Sequence, residues 1–229
     1  MNDRPTNVPF DPTYFARQKC DGKAQSIAAT FEQIYRTNHW GSDTVSGAGA
    51  TARQTQTLVA ELPVLFEDLG VDVLLDVPCG DFSWMQPVAQ TVPHYIGADI
   101  VPDLVAKNQA EHNDESLRFL TLDITSEPLP DADLLFCRDL FVHFSFADIR
   151  RALHNVQRSS ITYLLTTIFP ACTHNEDITT GDWRVLNLEA APFQFPAPLR
   201  LINEQCTEGG GLYRDKSLGL WRVHDLPAL

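Results

Sequence analysis

Residues 73–85 read VLLDVPCGDFSWM, and this stretch decides the fold. Val73 to Val77 is a short apolar run bounded by turn residues, which is the pattern of a strand covered on both faces. Pro78 fixes one backbone angle, and Gly80 permits a close approach of the backbone. A strand, a glycine turn and a helix start form the unit with which open α/β sheets place a ligand site at the carboxyl ends of their strands.

The alternation of strands and helices continues along the chain. Strand-like runs separated by segments of helical composition follow Gly70, at residues 95–100, 117–124, 133–137 and 161–168. Two further runs, 199–206 and 218–223, flank a Gly-Gly-Gly triplet and predict an antiparallel pair. We therefore predict an α/β, Rossmann-like doubly wound sheet of five parallel strands plus a C-terminal antiparallel pair, with helices on both faces.

The chain of 229 residues has the size of one domain with a substantial core. We predict an irregular N-terminal arm over residues 1–22 and a single domain over residues 23–229. Within this domain, residues 23–70 predict a helical cap. Residues 171–198 contain Asp, Asn, Gly, Pro and aromatic residues without a clear period, which predicts a lid loop.

The composition disfavours several classes of protein. There are 17 basic and 30 acidic residues, and a net charge of −13 disfavours a nucleic-acid partner. The N-terminus lacks the apolar core of a secretory signal, and no apolar run approaches the about 18 residues of a membrane span. Five widely spaced cysteines without a Cys-x-x-Cys pair indicate reduced thiols. We expect a cytoplasmic protein that binds neither nucleic acid nor membrane, with a homodimer as an open alternative.

Three aspartates end three successive predicted strands at nearly equal spacing. Asp76, Asp99 and Asp123 follow one another at intervals of 23 and 24 residues. Because the carboxyl ends of parallel strands meet at one edge of a sheet, these carboxylates are expected to lie close together. Asp99 comes 19 residues after Gly80, where an acid accepts hydrogen bonds from both hydroxyls of a ribose.

The stretch 73–85 resembles the first motif of the class I S-adenosylmethionine-dependent methyltransferases. That motif is usually acidic-x-Gly-x-Gly-x-Gly, of which this chain keeps the acid, Asp76, and one glycine, Gly80. It looks like a bacterial small-molecule branch with a Pro-Cys-Gly-Asp turn. The resemblance extends from about Ile34 to the C-terminus and implies S-adenosylmethionine as the cofactor.

The resemblance also assigns cofactor contacts. It implies that Asp81 lies near the amino-acid end of the cofactor and that Asp123 contacts the adenine amino group. The loop at residues 38–49, before a predicted helix over residues 51–69, adds a second group: the loop, which contains Gly47, presents backbone N–H groups and Arg53 clamps the methionyl carboxylate. The predicted cofactor residues are Trp40, Gly47, Arg53, Asp76, Gly80, Asp81, Asp99, Ile100, Asp123, Ile124 and Arg138.

The residues after the fourth strand, CRDLFVHF at 137–144, are the candidates for catalysis. Methyl transfer from a sulfonium mainly requires alignment of the nucleophile, the carbon and the sulfur. If the nucleophile is a hydroxyl, a base must also take its proton. His143 has a suitable unperturbed pKa for this task, and Asp139 is predicted either to be the base or to orient the substrate.

The acceptor is the least defined part of the prediction. Aromatic and acidic residues in the lid favour a small polar molecule, first a hydroxyl of a sugar or related polyol. N-methylation of an amine and O-methylation of an aromatic acceptor are the alternatives. A nicotinamide-dependent oxidoreductase would want three glycines in the turn, and an inactive cofactor-binding subunit would keep the same fold. No spacing supports a metal site at Asp139, His174, Glu176 and Asp177, so no metal is predicted.

Overall fold

The computed structural model describes residues 11–20, 22, 25–42, 44–112 and 114–228. Within them, one sheet contains the strands β1 (Val73–Asp76), β2 (His94–Asp99), β3 (Leu117–Thr121), β4 (Leu134–Cys137), β5 (Tyr163–Ile168), β6 (Arg200–Asn203) and β7 (Ser217–Arg222). Their order across the sheet is β3-β2-β1-β4-β5-β7-β6. Strands β1 to β5 are parallel, whereas β7 runs antiparallel to both β5 and β6. The predicted sheet is therefore confirmed.

The α-helices of the described residues are α1 (Tyr14–Cys20), α2 (Ile27–Thr37), α3 (Ala52–Leu69), α4 (Gln86–Ala89), α5 (Pro102–Glu111) and α6 (Phe146–Gln157). Gly70 ends α3 in the left-handed conformation, with a φ of 63°. Ser145 begins α6, because its hydroxyl accepts a hydrogen bond from the Asp148 N–H at 3.2 Å. None of these helices has both the length and the apolar composition needed to cross a bilayer.

Alternation along the strands divides the core between the two faces of the sheet. Leu74 of β1 packs with Leu62 and Phe66 of α3 on one face. Its neighbour Leu75 belongs to the cluster on the other face, together with Leu153 of α6. Successive side chains of a strand point to opposite faces, so each strand contributes to both halves of the core. Packing of the helices on both faces of the sheet holds the carboxyl ends of β1, β2 and β4 in fixed positions.

The predicted irregular arm was wrong for Tyr14–Cys20, which form α1, while residues 1–10 lie outside the described residues. The first turn of α1 is capped by a side chain that is distant in the sequence. Asp182 accepts hydrogen bonds from the N–H groups of Phe15 at 2.7 Å and Ala16 at 2.9 Å. A carboxylate at a helix N-terminus satisfies N–H groups that lack a helical partner. Because this cap lies 167 residues away, local sequence does not reveal it.

The predicted lid loop, residues 171–198, contains no helix or strand, although much of it packs into the core. Leu186, Leu188 and Phe193 are buried. The side-chain amide of Asn175 donates to two backbone carbonyls of the same segment, both at 2.8 Å. Buried apolar contacts and internal hydrogen bonds fix most of this segment. Most of the segment therefore belongs to the packed fold and does not form a loop that covers a site.

Candidate functional site

The carboxyl ends of the central strands open into a first cleft of about 1030 Å³. Asp76 and Asp99 line it from the neighbouring parallel strands β1 and β2. Ile27, Phe31 and Ile34 of α2 form part of its apolar lining. Apolar walls with a few polar groups are typical of sites for small molecules.

The turn after β1 is held by the loop that precedes α3. Gly80 has a φ of +55°, and a Cβ placed on it would lie 2.2 Å from Ser46 Oγ. The Asp81 N–H donates to the same oxygen at 3.0 Å, and the Gly80 N–H donates to Asp99 Oδ2 at 3.2 Å. Only a glycine allows these segments to meet so closely at the edge of the first cleft.

Replacing Gly80 with alanine is expected to destabilise the protein by more than the about 1–2 kcal/mol that a left-handed φ costs a side chain, because Ser46 must also move. Urea denaturation measures the loss. Gly210→Ala is the matched control, since Gly210 has a φ of +65° and nothing within 4 Å of its Cβ position. Equal losses in the two variants would contradict the packing of Ser46 on the turn.

Asp76 and Asp99 are buried, and each is hydrogen-bonded within the protein. The Tyr95 hydroxyl donates to Asp76 Oδ2 at 2.6 Å, and the Val101 N–H donates to Asp99 Oδ1 at 3.0 Å. Burial disfavours the charged form and raises the pKa of Asp76 to about 8 and that of Asp99 to about 6. A carboxylate has about four lone-pair sites, so Asp99 retains the capacity to accept hydrogen bonds from a ligand.

Asp123 lines the first cleft together with Ile100 and Ile124. Its Oδ1 accepts hydrogen bonds from the N–H and the hydroxyl of Thr125 at 2.8 and 2.7 Å. Its Oδ2 accepts one from the Ser126 hydroxyl at 3.0 Å. The Asp123 carboxylate therefore closes a local turn, and a ligand would share it with these groups.

Arg53 and Asp81 lie outside the lining of this cleft. Arg53 is exposed in the first turn of α3. Asp81 Oδ1 accepts hydrogen bonds from the N–H and the hydroxyl of Ser83 at 3.2 and 2.7 Å. The structure thus brings eight of the predicted cofactor residues to the first cleft: Trp40, Asp76, Gly80, Asp99, Ile100, Asp123, Ile124 and Arg138.

A second cleft of about 910 Å³ adjoins the first and is lined by Gly47 of the same loop. Four residues line both clefts and form what we call the junction: Trp40, Ser46, Asp139 and His143. An aromatic wall of the second cleft consists of Phe169, Trp183 and Tyr213, with ring centroids 5.0 to 6.2 Å apart. Both predicted catalytic residues, His143 and Asp139, are therefore shared by the two clefts.

Four charged side chains form a network beside the junction. Lys216 Nζ lies 2.6 Å from Asp139 Oδ2 and 3.6 Å from Glu204 Oε2. Arg138 donates to the same Glu204 oxygen at 2.7 Å. The side chains of Arg138, Lys216 and Glu204 are only 6%, 6% and 1% exposed. Each of these charges therefore depends on its partners, because an uncompensated buried charge is strongly destabilising.

The charges of this network set the pKa of Asp139. Burial alone would raise the pKa of Asp139, but Lys216 and Arg138 hold it below its usual range. Burial opposes the charge on Lys216 as well, yet Asp139 and Glu204 keep the pKa of Lys216 above its usual value. Asp139 is consequently ionised and bound to Lys216, which favours an orienting role for its carboxylate.

His143 is buried at the junction, with its orientation fixed. Its Nδ1 lies 2.9 Å from the backbone carbonyl oxygen of Asp182. A carbonyl only accepts hydrogen bonds, so Nδ1 carries the proton and Nε2 holds a lone pair. Burial lowers the pKa of His143 to about 4, and the nearby Arg184 and Lys216 add to this effect. The imidazole is therefore neutral at pH 7 and able to accept a proton.

The side chains considered for a metal are partly engaged elsewhere. Asp139 pairs with Lys216, and Asp177 Oδ1 accepts a hydrogen bond from the Phe146 N–H at 2.7 Å. In the part of the chain that the structure describes, no three His, Cys, Asp or Glu side chains are grouped so that they could hold a metal ion.

Comparison with known proteins supports the sequence prediction. Residues 74–160 match the profile of a family described as a methyltransferase domain. No curated protein sequence matches the chain.

Solved structures share the fold at low sequence identity. The N-methyltransferase NodS from Bradyrhizobium japonicum is 14% identical with a TM-score of 0.54, over 74% of this chain and 93% of that one. Human N-acetylserotonin methyltransferase, solved with SAM, is 13% identical with a TM-score of 0.53, over 94% of this chain and 60% of that one. Magnesium protoporphyrin IX methyltransferase from Synechocystis, solved with SAH, is 19% identical with a TM-score of 0.44, over 52% of this chain and 58% of that one.

The chain thus spans about three fifths of the length of two of these proteins. Sequence identities of 13–19% show that the fold is shared and nothing more. The match to the family profile is the finding that concerns the activity. The match supports a methyltransferase domain at residues 74–160, and the solved structures share the predicted fold. The acceptor and the roles of individual residues remain to be argued from the clefts.

Proposed function

We propose that this chain transfers the methyl group of S-adenosylmethionine to a hydroxyl of a small polar acceptor, first of all a sugar or related polyol. The observation that carries the proposal is the junction, where two clefts share a neutral imidazole and a carboxylate. The cofactor occupies the first cleft and the acceptor the second. The reacting atoms then meet beside His143 and Asp139.

The donor set of the first cleft fits this cofactor. Asp99 keeps lone pairs for the ribose hydroxyls, and Asp123 offers an acceptor for the adenine amino group. Ile100 and Ile124 supply apolar faces for the adenine ring. When bound, S-adenosylmethionine supplies a methyl group on a positively charged sulfur, which departs as a neutral thioether. Gly80 adds no side chain at the turn, and the Ser46 hydroxyl packs against the turn and accepts a hydrogen bond from the Asp81 N–H.

The chain's own contribution to the chemical step is proton removal and alignment. His143 Nε2 accepts the hydroxyl proton, while the oxygen forms its bond to the methyl carbon. The Asp182 carbonyl keeps the imidazole in the required tautomer through Nδ1. Asp139 orients the acceptor by receiving a hydrogen bond, because Lys216 holds it ionised.

The lining of the second cleft supports a compact acceptor with several polar groups. Trp183 and Tyr213 offer ring faces, while Asp139 and Lys216 offer a hydrogen-bond acceptor and a donor. Apolar faces with a few directional polar groups are suited to a hydroxylated ring. An aromatic alcohol is the second candidate acceptor, favoured by the three rings of the same wall. Incubation with panels of sugars, nucleotide sugars and small alcohols, followed by measurement of S-adenosylhomocysteine release, tests the proposal.

Asp99→Asn is expected to weaken binding of S-adenosylhomocysteine by about 10- to 100-fold, because a hydrogen bond to a charged acceptor is worth about 1.5–3 kcal/mol. Calorimetric titration measures the affinity. Binding by the unaltered protein should also weaken below about pH 6, where Asp99 takes up a proton. Asp72→Asn is the matched control, since Asp72 is exposed at the opposite end of β1. An unchanged affinity in Asp99→Asn would remove Asp99 from the site.

A further inference from the structure

The two clefts contain no spare cation among their lining residues. Among the residues that the structure describes, the permanently charged basic residues that line them are Arg138 and Lys216. Arg138 is bound to Glu204, and Lys216 is bound to Asp139. His143 is neutral at pH 7. An acceptor with an anionic group would therefore lose its hydration in the second cleft without gaining a free counter-ion, and this cost disfavours anionic acceptors.

One carboxylate of the second cleft stands outside the ion pairs of the network, although its charge still acts on the nearby Arg138. Glu208 is half-buried at the start of a glycine-rich turn and forms no ion pair among the described residues. The hydrogen bond recorded for its Oε2 comes from the Cys206 thiol, a weak donor, at 3.7 Å. The same oxygen lies 3.5 Å from the Cβ position of Gly49, on the opposing loop. Glu208 is thus available to a ligand on this side of the cleft.

The aromatic wall lines the same cleft as Glu208. The rings of Trp183 and Tyr213 meet edge to face, with centroids 5.0 Å apart, and Phe169 lies 6.1 Å from Tyr213. The negative face of an aromatic ring attracts a cation, most strongly where water is partly excluded. A carboxylate without an ion pair and several aromatic rings around one cavity make a suitable environment for an organic ammonium group.

From this arrangement we infer that the acceptor carries a protonated amine, which pairs with Glu208 against the aromatic wall while a hydroxyl of the same molecule reaches the junction. The inference rests on the proposed function and narrows its substrate class to amino sugars and other amino polyols. Glu208 lines the second cleft and does not line the first. The amine is accordingly held away from the junction and is not the group that is methylated.

Titration of hexosamines and their parent hexoses into protein saturated with S-adenosylhomocysteine tests this inference. Glucosamine, galactosamine and mannosamine each carry an amine in place of one hydroxyl of their parent sugars, which are glucose, galactose and mannose. We expect at least one hexosamine to bind about 10- to 100-fold more tightly than its parent. Glu208→Gln should abolish this preference by weakening binding of the hexosamine much more than binding of the parent sugar. Glu189→Gln is the control, because Glu189 is also half-buried but lines neither cleft.

The outcomes separate the two proposals. If S-adenosylhomocysteine binds but no hexosamine binds better than its parent, or if Glu208→Gln keeps the preference, the amine inference is overturned and the proposed function stands. If S-adenosylhomocysteine does not bind at all, the proposed function fails and the inference fails with it. Mass spectrometry of a methylated product provides a further check, because methylation on nitrogen would contradict the position assigned to the amine.

Discussion

Replacing His143 with alanine is expected to lower kcat by about 10²- to 10⁴-fold, the usual contribution of a general base. The affinity for S-adenosylhomocysteine should change little, because Asp99 and the Gly80 turn are untouched. The expectation rests on the neutral imidazole at the junction, whose Nδ1 proton is held by the Asp182 carbonyl. Steady-state kinetics with the best acceptor, together with calorimetry, measures both quantities. His154→Ala, at an exposed histidine of α6, is the control.

The pH profile distinguishes a base from a residue that only fills space. An unperturbed histidine would place the acid limb of kcat near pH 6–7, as expected from the sequence alone. In the structure burial lowers the pKa of His143 to about 4. The rate should therefore be sustained at pH 6 and fall only as the pH drops toward 4, and this limb should be absent in His143→Ala. A limb that persists in the variant, or a wild-type kcat, would contradict the assignment.

The lowered pKa of His143 also makes the stability of the fold depend on pH in the acid range. Its folded pKa of about 4 lies below the unperturbed 6.5, so between these values the unfolded chain binds more protons than the folded one. The stability associated with the neutral imidazole is complete above pH 6.5 and is lost as the pH falls through 4. His143→Ala should flatten this part of the stability curve, which thermal denaturation in acid buffers measures.

The sheet and the first cleft could be predicted because their causes are local in the sequence. The apolar run of β1 and the glycine turn after it define a strand and its exit. The spacing of Asp76 and Asp99 then places two acids at one edge, since parallel strands share their carboxyl ends. The structure brings both to the first cleft, although neither spacing nor motif indicated how strongly burial raises the pKa of these carboxyls.

The missed features depend on residues that are distant in sequence. Glu204 stands inside a predicted strand, which was a signal that it is a buried charge, whereas Lys216 stands two residues before the next predicted strand. Their partners, Arg138 and Asp139, lie 66 and 77 residues away. Likewise, Asp182 both caps α1 through its carboxylate and holds His143 through its carbonyl, so one residue connects the N-terminal helix to the junction. Only the folded chain shows such pairings.

Lys216→Met is expected to destabilise the protein by about 3–5 kcal/mol, the cost of leaving a buried charge without its partner. The substitution leaves Asp139 and Glu204 facing Arg138 alone, so one carboxylate is uncompensated in a poorly hydrated place. Urea denaturation at pH 7 measures the loss. Lys107→Met is the control, because Lys107 is exposed and lies 3.9 Å from Glu111 on the surface of α5, where an ion pair contributes about 0–1 kcal/mol.

A second substitution separates lost charge compensation from lost packing. Adding Glu204→Gln to Lys216→Met leaves one cation, Arg138, and one carboxylate, Asp139, which lie 3.4 Å apart. The double variant should regain more than half of the lost stability, because no buried charge then lacks a partner. If the double variant is no more stable than Lys216→Met, the destabilisation comes from packing of the lysine stem, and the network does not set the ionisation of Asp139. If stability returns but kcat does not, the ammonium group of Lys216 itself contributes to orientation of the acceptor.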